Sequence, residues 1–157
     1  MWKAYGLVYR LLQNGIPVRW GISAAKTSSS TTDFTVSSVK DLRTATALSS
    51  WDYKGGAFII DSADAAQAKT IINAWWATNS NQPNVHEAQA GFNAQTDITL
   101  RSAPRIANEE INASVSIAYY NAAGIPDSNG KPWSTSSPNI LNQSSIASGG
   151  LFDTGSG

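Results

Sequence analysis

The 157-residue chain contains no cysteine. That one absence excludes disulfides, thiolate zinc sites, iron–sulfur clusters and a cysteine nucleophile. It has a single histidine, His86, so a multi-histidine metal site cannot form. Charge is scarce as well: 14% of residues are Asp, Glu, Lys or Arg, against about 25% in an ordinary soluble domain. Eleven basic and eleven acidic side chains cancel to a net charge of zero. A nucleic-acid partner is therefore not expected, because phosphate backbones call for a basic face. No apolar run approaches the roughly 20 residues of a membrane span. The G-x-S-x-G elbow, the P-loop and the G-x-G-x-x-G spacing are all missing.

What fills the space is hydroxyl, amide and aromatic. Ser and Thr together number 33, Asn and Gly 12 each, and there are six Trp. A weakly charged, hydroxyl-rich, aromatic surface is common in secreted bacterial proteins. It equally suits a subunit that buries surface against copies of itself, since interface cores are poor in Lys and rich in Trp and Tyr. Met1-Trp2-Lys3 runs straight into a helical pattern with no signal peptide ahead of it. The favoured reading is the mature or excised part of an extracellular or cell-envelope protein, with a cytoplasmic protein as the alternative. The length suits one domain with a core of its own.

Along the chain, Tyr5, Val8, Leu11 and Leu12 mark a helix over residues 2–13, stopped by Asn14-Gly15. Residues 16–22 read as a strand and 23–32 as a loop of small hydroxyl residues. Phe34-Thr35-Val36 reads as a minor strand, and 37–52 fit no period. Gly55-Gly56 then introduces Ala57-Phe58-Ile59-Ile60, a run typical of a strand buried on both faces. Asp61 or Ser62 is placed to cap a helix running to about Ala77. Strands are expected at 84–88 and 104–108, with 92–100 ambiguous. A helix follows over 109–123, its first turn acidic and its end set by Gly124-Ile125-Pro126. Ile140–Ala147 suggests one or two helical turns. Strands alternating with 12- to 15-residue helices predict an α/β fold, a three-layer sandwich with a mostly parallel sheet. The expected division is a core at 1–126 with a loop-rich C-terminal extension at 127–157.

The segments YGLVYRLLQNGIPVRW, YKGGAFIIDSADAAQA, NVHEAQAGF, APRIAN and YYNAAGIPDSNG together resemble a group of bacterial secreted proteins with a class I glutamine amidotransferase-like, flavodoxin-related fold. The resemblance covers most of residues 5–152 and rests on turns and buried strands. It implies a parallel sheet with ligands bound beyond the strand ends. An active amidotransferase uses a Cys nucleophile with His and Glu, and this chain has no Cys. Such folds also open with a strand and continue further, which implies a sheet left incomplete and completed by more chain or by a partner.

Under that topology the strand ends would bring Asp61, His86 and Glu109 to one crevice as a weak catalytic set. The plainer alternative makes Asp61 a helix cap, Glu109 a dipole partner and His86 a partly buried histidine. Asp127-Ser128-Asn129-Gly130 has the start of a calcium loop, with Asp127 and Asn129 as ligands. Lys131 then occupies the next ligand position and no bidentate Glu follows, so an ordinary turn is expected, and no metal or cofactor. Trp75-Trp76 and Tyr119-Tyr120 are adjacent pairs about 100 degrees apart on helices, so one of each should face the core and the other a partner. These premises favour a non-catalytic extracellular or envelope domain with a structural, assembly or binding role, its partner a second copy or another protein. The alternative is a hydrolase or small-molecule-binding protein using the Asp61, His86 and Glu109 crevice.

Overall fold

The computed structural model describes residues 2–80 and 82–141. The chain forms two compact units, one spanning Leu11–Ser102 and the other taking in Met1–Arg10 and the chain from Ala103 on. Helix α1 (Trp2–Gln13) begins in the second and ends in the first. It stops where the sequence says it should. Gly15 sits at φ +76°, and the Gly15 and Ile16 N–H groups donate to the carbonyls of Leu12 and Leu11, closing a Schellman turn.

The Leu11–Ser102 unit holds two three-stranded sheets. The first has the order β4-β1-β6, from β1 (Val18–Gly21), β4 (Ala57–Ile59) and β6 (Ile98–Leu100). The second has the order β3-β2-β5, from β2 (Thr32–Asp41), β3 (Ala47–Lys54) and β5 (His86–Ala88). Every pairing in both sheets is antiparallel. The expected mostly parallel three-layer sandwich is thus overturned. The cause lies between β1 and β4: the chain there makes the β2–β3 hairpin instead of a crossover helix, so β4 returns antiparallel to β1. Residues 37–52, which fit no period, are the body of that hairpin. Thr32 faces Lys54 and Phe34 faces Tyr53, leaving Asp33 as an extra, bulged residue. The missing pattern over 37–52 comes from Ser38, at φ +57°, and from β3, whose residues are mostly exposed on both faces.

Phe34, Val36 and Val39 form the buried centre of the hairpin, packed by Leu48, Tyr53, Ala57, Ile59 and Ala94. Gly21 is what lets β1 come this close. A Cβ there would lie 2.7 Å from the Phe34 ring and 2.9 Å from Ile59. Strand β4 is only partly buried, not the doubly covered strand expected. A single 3-10 turn (Ser62–Asp64) leads into α2 (Ala65–Thr78), which buries Ala68, Ile72, Trp75 and Trp76. No side chain caps either start; Asp61 is engaged elsewhere.

In the other unit a two-residue strand β7 (Asn108–Glu109) pairs in parallel with β8 (Ile140–Leu141). The expected strand at 104–108 is therefore shifted to its last residue, and Ile140 begins a strand where helical turns were expected; residues 142–147 lie outside the described ones. Helix α3 (Ala113–Ala123) starts later than expected, because the Glu109 carboxylate turns back to accept from the N–H groups of Ile111 and Asn112. It ends as α1 does, with Gly124 at φ +78° and the Gly124 and Ile125 N–H groups on the carbonyls of Asn121 and Tyr120. Among the described residues no helix is long and apolar enough to cross a membrane.

Candidate functional site

The three acid–base candidates are each held by a different partner. Asp61 receives the guanidinium fork of Arg19, with Nε at 3.1 and 3.2 Å and Nη2 at 3.0 Å, on an exposed surface. His86 lies on β5, paired in register with Asp41, and its Nδ1 is 3.0 Å from the Tyr53 hydroxyl. Trp51 packs edge-on to the imidazole at 4.7 Å. Burial lowers the His86 pKa, opposed by the nearby Asp41 carboxylate, and burial raises that of Tyr53. Glu109 belongs to the other unit and is occupied with the loop before α3. None of the three hydrogen-bonds another, and among the described residues no serine or threonine hydroxyl is bonded to the His86 ring. The arrangement offers a partly buried histidine and two structural carboxylates, not a nucleophile with its base.

Asp127 and Asn129 form a turn. Asp127 Oδ1 accepts from the N–H groups of Asn129 and Lys131 at 2.9 and 3.0 Å, and Oδ2 accepts from Ser137 Oγ at 2.9 Å. These bonds, the Lys131 N–H first, hold the carboxyl below its usual range. Both oxygens are already spent on the protein. Among the described residues no group of three His, Cys, Asp or Glu gathers to hold a metal ion.

Of the two aromatic pairs, the tryptophans depart from the expected division and the tyrosines keep it. Trp75 and Trp76 are both buried, at 6% and 9% exposure, so neither offers a surface. Tyr120 is half-buried and packs on Trp133 at 5.0 Å, where Trp133 is tied at both its N–H and its carbonyl to the Asn121 amide. Tyr119 is the member left outside, at 49% exposure.

Around Tyr119, one of the residues expected to face a partner, several more apolar side chains are exposed. Its ring is 4.8 Å from that of Trp2, which lies 6.5 Å from Tyr5. Trp2 is 49% exposed and Tyr5 46%, while Val115 and Ile111, on the α3 side, are 60% and 69% exposed. Val115 and Tyr119 are four residues apart on α3, and Trp2 and Tyr5 three apart on α1, so each pair shares one helix face. The outward positions of α3 are Ser114, Val115, Ala118, Tyr119, Asn121 and Ala122, and the helix carries no charged residue. Its buried members are two alanines, Ala113 and Ala123. A surface helix normally turns an apolar stripe inward and a charged face to water. This one buries Ala113 and Ala123 and partly buries Ile117 and Tyr120, yet leaves Val115 and Tyr119 open beside Ser114, Ala118 and Ala122.

The five side chains leave roughly 100 Å² each to solvent, about half of what an aromatic of that size can bury. The patch therefore amounts to roughly 500 Å², at the upper end of what a monomer ordinarily exposes. By contrast, the depression lined by Trp20, Ile22, Ala24, Asp97 and Ile98 encloses about 160 Å³, well under the several hundred of a small-molecule site. No protein-family model, curated protein or solved structure matches the chain.

Proposed function

We propose that this chain is a non-catalytic extracellular or cell-envelope domain that works by binding protein through the exposed face of α1 and α3. The observation that carries this reading is the uncharged, apolar outer face of α3 joined to Trp2 and Tyr5. Interfaces are enriched in aromatic side chains and stripped of charge at their centres, and this face has that composition while the acid–base candidates do not. The low overall charge and the abundance of Ser, Thr and Asn support the extracellular or envelope setting.

The test is site-specific photocrosslinking in the producing cells. A crosslinking aromatic residue at position 119 is expected to trap a protein, and one at Ser50, exposed on β3, is not. Equal yields at the two positions, or none at 119, would overturn the reading.

A further inference from the structure

Resting on that reading, we infer that the partner of the α1/α3 face is a second copy of this chain, docked through antiparallel packing of α3 on its counterpart about a two-fold axis near Ala118. Three observations point this way. The first is area. Roughly 500 Å² of apolar surface per copy gives about 1,000 Å² for a pair, the lower bound for a specific interface.

The second is charge. In a two-fold contact the groups close to the axis meet their own counterparts, so a charged helix face would confront like charges there. From Ala113 to Ala123 there is no charged residue at all. The acidic residues next to the helix, Glu109 and Glu110, lie at its N-terminal end. Antiparallel packing carries those two ends apart, whereas parallel packing would stack four carboxylates.

The third is symmetry of shape. Ala118 is the middle of the outward row Ser114, Ala118, Ala122, with small residues on either side at equal spacing. A partner helix running the other way meets that row with the same side chains in reverse. Val115 and Tyr119 flank the row, and the Trp2–Tyr119 contact extends the face onto α1. Packed helix axes lie about 8–10 Å apart, and small contact residues such as this row allow the short end of that range.

The experiment uses the whole chain, whose lack of cysteine makes a single introduced thiol unambiguous. Sedimentation of the wild type should show average mass rising with concentration toward twice the monomer value. Val115→Lys should weaken association at least tenfold. Its melting temperature should stay close to wild type, because Val115 is 60% exposed. Ala118→Cys should form a disulfide dimer under mild oxidation much faster than the control Ser50→Cys. A wild type that stays monomeric up to about 0.5 mM, or an Ala118→Cys dimer that forms no faster than the control, overturns the second-copy assignment. A monomer that still crosslinks a different protein through position 119 in cells defeats this inference while leaving the binding reading intact. No position-119 crosslink of any kind defeats both.

Discussion

Asp33 is the residue whose loss should cost the Leu11–Ser102 unit most for its size. The bulge in β2 turns its side chain inward, where the carboxylate is fully shielded from water. Oδ1 accepts from the Ser23 N–H at 3.1 Å, and Oδ2 accepts from the Gly56 N–H at 2.9 Å and from Lys26 Nζ at 2.7 Å. One carboxylate thus ties the loop after β1, the start of β2 and the turn between β3 and β4. The Lys26 bond, followed by those from Gly56 and Ser23, holds the Asp33 pKa at about 2, against desolvation acting the other way.

Asp33→Ala orphans two backbone donors and leaves Lys26, only 13% exposed, without its counter-ion. Orphaned buried donors cost about 1–3 kcal/mol each and are not additive, and breaking a buried pair costs about 3–5 kcal/mol. Lys26 still meets solvent, so water can reach the ammonium and screen part of this, and a loss of about 3 kcal/mol is expected. For a chain of this length that is a fall of about 6–12 °C in melting temperature.

The pH dependence isolates the charge. A carboxylate whose folded pKa lies below its unfolded value near 3.8 adds stability that is present above that value and disappears as pH falls toward 2. The displacement corresponds to about 2 kcal/mol at most, and screening trims it to about 1–2 kcal/mol. Urea melts of the wild type and the Asp33→Asn variant at pH 5 and pH 2.5 read it directly. The wild type should lose more stability over that interval than the amide variant does. Identical losses, or an alanine variant within about 1 kcal/mol of wild type, would refute the argument.

Gly56→Ala should destabilise by about 2–3 kcal/mol by chemical denaturation, because Gly56 has φ +78° and an added Cβ would run into the Trp20 indole, whose Nε1 donates to the Gly56 carbonyl at 2.9 Å. Ala45 is a non-glycine residue at φ +59° in the β2–β3 turn, so Ala45→Gly should raise stability by about 0.5–1 kcal/mol and never lower it. His86 has its pKa lowered chiefly by burial, so between that value and the unfolded value of about 6.5 the unfolded chain binds more protons and stability falls as pH drops. Its single imidazole can be titrated directly by NMR, with a midpoint expected below 6.5, and His86→Gln should flatten the stability profile in that window.

The parts of the fold that were legible in the sequence are those decided by local chemistry. Gly15 and Gly124 supply the left-handed residue each helix end requires, and both close the same turn. Val8, Leu11 and Leu12 of the predicted α1 stripe are buried and the strand at β1 follows from its apolar run, while Tyr5 of that stripe is exposed and Leu7, off it, is buried. What was not legible depends on one left-handed residue and one missing helix. Phe34 and Val36 keep the period of two, but Ser38, at φ +57°, breaks it, so Val39 and not Ser38 is the next buried side chain. Without that hairpin the strands at 18–21 and 57–60 look like successive members of a parallel sheet. The Asp61, His86 and Glu109 crevice lost its topological basis with it, since it was inferred from a parallel sheet and not from any contact those residues make. Asp33 itself carried no motif; its role comes from the two turns that approach it.

The exposed face of α3 escapes a sequence reading for a different reason. Ala, Ile, Val and Tyr all round a helix signal burial, and the sequence pattern says so correctly. Periodicity records that a side chain avoids water but not which molecule shields it. Against a sheet of its own chain, α3 would turn Val115 and Tyr119 inward and leave Ala113 and Ala123 outside. The structure buries Ala113 and Ala123 and leaves Val115 and Tyr119 open. Two sizeable apolar side chains are therefore directed away from the chain's own core, an exposure that costs stability in a lone domain and would be offset if the face met another protein. A charged residue at 115 or 119 would have removed that cost at no expense to the fold. Its absence at both positions, beside Trp2 and Tyr5 on the adjoining helix, is the physical ground for assigning this face to binding.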